Sequence, residues 1–426
     1  MMDLTKHKFS ELYAMSSGIS TGKDQAGHGS PFVSFTSVFN NYFLPTSLPD
    51  LMSTSEKEQE TYSVKEGDIF LTRTSETLDE LGMSCVVTED YPKATYSGFL
   101  KRLRPSQSKK AYHKYMAFYL RSGLFRKTMN NNAVMTLRCS LNEQIFSYLN
   151  LLLPNYDEQV KVGDFLYLIH QKMELNKRIN AELEGMAKLL YDYWFVQFEF
   201  PVTAAQAAAM GKPHLEGKPY KSSGGKMIYD AQLKRDIPEG WQVGNLPDIA
   251  TFTNGIACQK YPPNGGDTLR VIKIREMRDG FTQNSETVTS EVPAKVIVHN
   301  GDILFSWSAS LEVMLWAGGK GALNQHIFRV TSATYPRSFC YFTLLNYLQH
   351  FKMIAELRKT TMGHITKDHL DQSRIAIPPL ELTEQLDAKL NLIIEQTQNL
   401  HQQNQHLTTL RDWLLPMLMN GQVTVE

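Results

Sequence analysis

Cysteine is scarce in this chain: Cys85, Cys139, Cys258 and Cys340 are the only four in 426 residues, and each stands alone. With no CxxC pair and no histidine at ligand spacing, neither a zinc site nor a disulfide framework is predicted, and four buried, reduced thiols are expected. Long apolar runs are missing too. None approaches the ~18 residues of a membrane span, and MMDLTKHKFSELYAM lacks the apolar core of a signal peptide, so a cytoplasmic chain without a membrane partner is expected. Net charge is absent, 44 basic side chains balancing 44 acidic ones. That removes the simplest argument for a nucleic-acid partner and leaves charge distribution to decide.

The marks of DNA-modifying chemistry are also lacking. An adenine methyltransferase grips a flipped base with Asn or Asp, two prolines and an aromatic; Tyr261-Pro262-Pro263-Asn264 has the wrong order and no glycine-rich cofactor loop upstream. The lone Glu216-Gly217-Lys218 has no acidic partner for a nuclease metal. Gly225-Lys226 fails as a phosphate loop, because Tyr220 stands where the first glycine belongs and Met227 where a hydroxyl would ligate magnesium. The twelve histidines are dispersed. No catalytic residue, metal or cofactor is expected.

What is present begins with a proline-free stretch from Asp157 to Phe198, which reads as one long helix capped by Asp157. In sevens it places Val162, Ile169, Asn176, Leu183 and Leu190 on one line and Phe165, Lys172, Ile179, Met186 and Tyr193 on the next, a coiled-coil seam. Asn176 is a polar seam position, which either sets register and partner or marks a frayed or exposed stretch of the seam. Gly163 and Gly185 suggest close approach of another backbone. Leu386, Ile393, Leu400, Leu407 and Leu414 repeat every seven residues across Thr383 to Leu418 and supply the partner helix. Ile169, Asn176, Leu183 and Leu190 would thus face Leu386, Ile393, Leu400 and Leu407.

The remainder reads as two α/β globes. Short strand-like runs punctuated by Gly, Ser and Pro (Pro31 to Phe35, Ile69 to Thr72, Cys85 to Thr88) fill residues 1–153; Leu269 to Ile274 and Val296 to Val298 do so in 236–377. Residues 154–199 and 378–426 hold the helices, and 200–235, rich in Ala, Gly, Lys and Pro, reads as a linker. Features recur in order: Gly67-Asp68-Ile69-Phe70 and Gly301-Asp302-Ile303-Leu304, a basic segment, a proline, Glu158-Gln159 or Glu384-Gln385, then a long helix. Positions 91–140 carry eleven Lys or Arg and no Asp or Glu; positions 313–367 carry seven against the single Glu356. A basic segment at the same relative place in both halves argues for phosphate neutralisation over a solvated helix face, and so for two nucleic-acid contacts.

Gly211 to Met227 with Ile237-Pro238-Glu239-Gly240-Trp241, the run Asn300 to Ser310, and Leu323-Asn324-Gln325-His326-Ile327 resemble the signature of the specificity (S) subunits of type I restriction-modification enzymes, and the resemblance covers nearly the whole chain. It implies an α/β (α+β) fold of two target-recognition domains separated by antiparallel coiled-coil helices in a pseudo-two-fold repeat. It further implies a non-catalytic reader of double-stranded DNA with a bipartite, asymmetric target, which recruits two methyltransferase (modification) subunits and restriction (motor and nuclease) subunits. The first globe lacks a counterpart to Asn324-Gln325-His326, and Arg73 stands where the second has Trp307, so the halves would read different sequences. A helix of about forty residues spans ~60 Å, enough to set half-sites one DNA turn of ~34 Å apart.

Candidate DNA-contacting residues are Arg73, Lys101, Arg102 and Arg104 in the first globe and Ser306, Ser308, Ser310, Lys320, Gln325, Lys359 and Thr361 in the second; for the Gly-Asp-Ile-Leu run a structural role is at least as good a reading. Leu189, Trp194, Phe195 and Trp413, off the seam, are candidates for docking partner subunits or for packing on the globes. The competing readings are a stand-alone methyltransferase with diverged motifs, which would bind S-adenosylmethionine, and a coiled-coil adaptor, whose affinity for DNA would not depend steeply on salt.

Overall fold

The computed structural model of the chain describes residues 2–75, 80–132, 134–135, 139–140, 143–357 and 364–426. Two compact units form, Met1–Met173 with Leu407–Glu426, and Glu174–His406. In the first, strands β1 (Thr5–Lys8), β2 (Tyr13–Ser17) and β3 (Ala26–Val33) lead to helix α1 (Phe35–Phe39), followed by β4 (Asp50–Met52), β5 (Ile69–Thr72), β6 (Ser84–Val86), β7 (Thr95–Tyr96), β8 (Leu100–Pro105), α2 (His113–Tyr119) and β9 (Asn150–Leu153). A four-stranded sheet has the order β2-β8-β5-β6, a three-stranded one β4-β3-β7, and β1 pairs with β9. All four residues of β5 are buried, and this central strand opens with three apolar residues, Ile69, Phe70 and Leu71, without alternation before Thr72. The long helix α3 (Tyr156–Tyr191) follows.

The second unit repeats this plan with β10 (Gln242–Asn245), β11 (Thr251–Asn254), β12 (Thr268–Ile272), α4 (Ile274–Asp279), β13 (Thr287–Thr289), β14 (Ile297–Val298), β15 (Ile303–Ser306), β16 (Glu312–Leu315), β17 (Gly321–Leu323), β18 (Ile327–Thr331), α5 (Arg337–Leu357), β19 (Arg374–Ile377) and the long helix α6 (Leu380–Met419). Its sheets run β11-β18-β15-β16 and β13-β12-β17-β14, and β10 pairs with β19. These sheets match those of the first unit strand for strand, with β14 added; the first unit has in addition a small sheet of Thr74–Ser75, Val134–Met135 and Cys139–Ser140, which has no counterpart among the described residues of the second. The repeat inferred from motif order is therefore a repeat of topology.

The Gly-Asp dipeptide starts the central strand the same way in both units. Gly67 (φ 85°) and Gly301 (φ 88°) take the left-handed conformation that favours glycine. Gly67 N donates to Val87 O at 2.9 Å and Gly301 N to Trp316 O at 2.7 Å. The aspartates close the turn, accepting from Lys65 N at 2.9 Å and His299 N at 2.8 Å. Each also holds an arginine from the neighbouring strand, Arg104 on Asp68 and Arg329 on Asp302. The run is structural.

The helices carry a seam, with one line displaced from its expected position. Val162, Ile169, Asn176, Leu183 and Leu190 face inward, but the adjacent line is Leu166, Met173, Asn180, Ala187 and Trp194, while Lys172, Met186 and Tyr193 are exposed. A spacing of four rather than three after each first-line residue makes the difference. Within the second unit the helices are antiparallel: Asn176 meets Asn404 and Glu184 meets His401. Leu386 and Leu400 are buried and Ile393 and Leu407 partly so. Asn155, one turn ahead of Glu158, caps α3 in place of Asp157, accepting from Glu158 N at 3.0 Å. The Glu-Gln match is also out of step: Gln159 is buried, bonded to Tyr112 N and Pro154 O, whereas Gln385 is exposed and Thr383 holds the comparable buried place. A Cβ on Gly163 would lie 2.6 Å from Tyr115 N, so a backbone does approach there; nothing lies near Gly185.

The stretch expected to be a linker folds onto the second unit. It forms a helix at Ala204–Ala209 and a hairpin of Met227–Asp230 with Arg235–Pro238. Phe198, Phe200, Val202, Ala207 and Tyr220 join the core with Trp241. Phe200 stacks on Tyr220 at 4.6 Å, and Gly225 lies so close to the Tyr220 ring that a Cβ would be 2.4 Å from it. Packing, not phosphate binding, explains Gly225-Lys226. Trp194 and Phe195 belong to the same core, whereas Leu189 and Trp413 are exposed. Cys85, Cys258 and Cys340 are free and buried; the side chain of Cys139 lies outside the described residues. Among the described residues no helix is long and apolar enough to cross a membrane.

Candidate nucleic-acid interface

The two domains hold corresponding residues at one end of the central strand by the same backbone hydrogen bonds. In the first, Ile19 pairs with Ser97, Gly98 N donates to Ile19 O at 2.7 Å and Arg73 N to Phe99 O at 2.9 Å. In the second, Ile256 pairs with Asn324, Gln325 N donates to Ile256 O at 2.9 Å and Trp307 N to His326 O at 3.3 Å. Ser97-Gly98-Phe99 is therefore the counterpart of Asn324-Gln325-His326, which sequence comparison does not find because no side chain is shared. Gly18 and Gly255 allow the approach, since a Cβ on either would lie 2.2 Å from the facing carbonyl, Ser97 O or Asn324 O.

On this frame the first domain displays Arg73 and Phe99, both exposed, Phe99 at 65%. Lys101 is 6% exposed and donates to Ser17 Oγ at 2.7 Å. Burial lowers the pKa of its ammonium, and the positive charge of Arg73 lowers it further. Arg102 and Arg104 point elsewhere. Alternation along β8 puts both on the opposite face from Lys101. Arg102 donates to Ser63 O at 2.7 Å, and Arg104 holds Asp68 with two bonds of 2.7 and 2.6 Å. Other members of the basic segment are also held by partners within the chain. Arg121 donates to Ser84 O, Val38 O, Phe39 O and Asn41 O, Arg126 to Leu81 O, and Lys114 pairs with Asp164. Counting charges along the chain overstates the basic surface, because burial and carbonyl partners cannot be read from composition.

In the second domain Trp307 is the centre. Its indole donates to Asn254 Oδ1 at 3.2 Å and packs 5.7 Å from His326, 5.9 Å from Phe328 and 5.7 Å from His364. Gln325 is half-buried beside exposed His326, 3.3 Å between side-chain nitrogens. Ser306 and Ser308 are buried and shape the turn: Ser306 Oγ donates to Ser310 O and accepts from Glu312 N. Ala309 in that turn has φ 58°, a conformation that side chains rarely adopt. Lys320 is exposed, but it follows Gly319 beyond the far end of β16, away from Trp307. Lys359 and Thr361 lie outside the described residues, just ahead of His364. Phe99 is legible in the sequence only as one of the aromatics interleaved with the basic segment 91–140, and Asn254 and His364 had no sequence signal of their own. Among the described residues no cluster of His, Cys, Asp and Glu could hold a metal.

Residues 18–185 and 238–409 both match the family described as type I restriction modification DNA specificity domain. The chain is similar to the type I restriction enzyme HindI specificity subunit of Haemophilus influenzae, 25% identical over 92% of this chain and 94% of that protein. It is 23% identical to the type I restriction enzyme MjaIX specificity subunit of Methanocaldococcus jannaschii, over 64% of this chain and 60% of that one. A solved type I restriction-modification S subunit from M. genitalium shares the fold, with a TM-score of 0.58 at 11% identity over 98% of this chain and 96% of that one. With the family's domain matched twice along most of its length, the chain belongs to the type I restriction-modification specificity subunits, the DNA-recognising and non-catalytic members of their enzymes.

Proposed function

We propose that each domain reads one half of a bipartite DNA target with the residues at the end of its central strand. One observation carries the reading: equivalent backbone bonds hold Arg73, Gly98 and Phe99 in one domain and Trp307, Gln325 and His326 in the other. A common frame with different side chains suits two different half-sites. Lys101 and Ser310 stay in this proposal as neighbours of those positions; Lys359 and Thr361, outside the described residues, stay in it as candidates from the sequence. Arg102, Arg104, Ser306 and Ser308 support the frame rather than touch bases, and Lys320 is left to phosphate contact.

The long helices act as a ruler between half-sites, and exposed Leu189 and Trp413 are contacts for two modification subunits in a cytoplasmic complex that also holds the restriction subunits. The test is to map methylated positions in genomes carrying the chain with its modification subunits. Arg73→Ala and Trp307→Ala should each relax a different half of the target. A heptad inserted into both helices, ~10 Å of rise, should widen the gap by about three base pairs and leave both halves unchanged. Insertions that alter base preference instead of the gap would sink the ruler, and either substitution affecting both halves equally would sink the reader.

A further inference from the structure

The edges of the two four-stranded sheets differ. In the first domain the chain leaving α1 turns back beside β6: Leu44 N donates to Val86 O at 2.8 Å and Val86 N to Tyr42 O at 2.9 Å, with Phe43 bridged to Val86 in parallel. Of the rings carried in, Phe43 is buried and Tyr42 half-buried. Phe43 lies 5.6 Å from Phe118, 4.7 Å from Tyr167 and 4.9 Å from His170, and Tyr42 lies under the guanidinium groups of Arg121 and Arg411 at 4.7 and 5.6 Å. Tyr42-Phe43-Leu44 thus serves as an added strand.

The second domain has the same edge without that strand. Its connection from α4 to β13 is residues 280–286, shorter than residues 40–49 between α1 and β4, and its aromatic, Phe281, packs on Trp316 instead. Among the described residues only β15 pairs with β16. Leu315 corresponds to Val86, each opposite the first residue of the central strand, Ile303 or Ile69. Val86 turns its N–H and C=O to the edge, so the same register turns those of Leu315 outward.

Where the first domain has Tyr42 and Phe43, the second has a cavity of about 200 Å³ walled by Val313, Leu315, Tyr341, Ala187 and Ile394. The walls correspond. His170 and Ile394 each follow a seam isoleucine, Ile169 and Ile393, and Arg411 and Ala187 each stand four residues after a seam leucine, Leu407 and Leu183. Gln398, on the same wall, has its buried Nε2 without a hydrogen-bond partner.

We propose that the β16 edge and this cavity dock an extended segment of another protein chain, which adds a strand through Leu315 and places an aromatic side chain in the cavity. An unpaired edge recruits main chain of any sequence, and the apolar walls select the ring beside it. The first domain shows the motif that fits: an aromatic pair followed by an apolar residue.

The test titrates a fluorescent peptide with the sequence of residues 38–47, VFNNYFLPTS, into the full chain. Saturable binding is expected, with slowed hydrogen exchange at the Leu315 amide. Binding should weaken at least tenfold when the peptide is N-methylated at its leucine, and likewise for the Ala187→Phe chain, whose ring fills the cavity. Equal affinity of the N-methylated peptide would overturn the added strand, and equal affinity of the Ala187→Phe chain would overturn the site. A chain that takes up free indole but no peptide would overturn the proposal as a whole. If Ala187→Phe does not fold, the N-methylated peptide and the Leu315 exchange rate decide on the native chain.

Discussion

Asn176 Nδ2 donates to Asn404 Oδ1 at 2.9 Å, joining α3 and α6 at a seam position with no exposed surface. This amide bond forms in one register only, and it leaves the buried Asn176 Oδ1 without a partner, so it costs some stability and sets which turns of the two helices meet. The apolar seam positions would tolerate a slip of seven residues; the amide pair would not.

Asn180, the next inward position, is 3% exposed and neither its Nδ2 nor its Oδ1 has a partner. Replacing it with leucine removes an unsatisfied group and adds apolar contact, so Asn180→Leu should raise stability by about 1–2 kcal/mol in urea unfolding. A lower midpoint would show that the amide is used in a way the folded chain does not reveal.

Arg121 separates a structural cation from a phosphate-binding one. Its guanidinium serves four carbonyls, and burial lowers its pKa. Arg121→Leu should cost at least about 3 kcal/mol, because those carbonyls lose their donors together. The slope of log affinity for DNA against log salt should hold in the folded fraction, whereas Arg73→Ala should reduce it by about one unit. The reverse pattern in salt titrations would exchange the two roles.

Gly18 and Gly255 predict a matched pair of local failures. A methyl group on Gly255 would press into Asn324 O, and one on Gly18 into Ser97 O. Neither carbonyl is the end of a flexible side chain, so each Gly→Ala change should cost about 3 kcal/mol or more. Recognition should be lost at one half-site only, a different one for each variant, in binding assays with single-half mismatches.

Glu276 carries a pH dependence. Its carboxylate is 1% exposed; burial alone would raise its pKa, but Arg275 and Ser285 bond to it and the net shift is below the ordinary 4.5. A depressed folded pKa adds stability that is complete above the unfolded value and disappears as pH falls through the folded one. The stability gap between the native chain and Glu276→Gln should therefore be widest near neutral pH and close below about pH 4.5. A gap independent of pH across that range in chemical denaturation would show that charge on Glu276 is not the stabilising form.

Much of the architecture was legible because it rests on local periodicity. The seven-residue spacing of Leu386 through Leu414, the paired Gly-Asp turns and the order of motifs were enough for two α/β globes and two seam helices. The displaced second seam line, the cap at Asn155 in place of Asp157, and the folding of residues 200–235 onto the core were not, since each depends on what lies opposite. The same limit applied to the site: eleven cations without an acid looked like one basic face, yet Arg102, Arg104 and Arg121 are held by backbone oxygens or Asp68.

Sequence alone determined that the chain is a twofold repeat of sheet and helix, because hydrophobic spacing and turn chemistry act over a few neighbours. Tertiary structure decided which side chains occupy the equivalent tips. Phe99 corresponds to His326 and Gly98 to Gln325 through hydrogen bonds of the main chain, whose donors and acceptors are the same for every residue but proline and so leave no trace in the side-chain sequence.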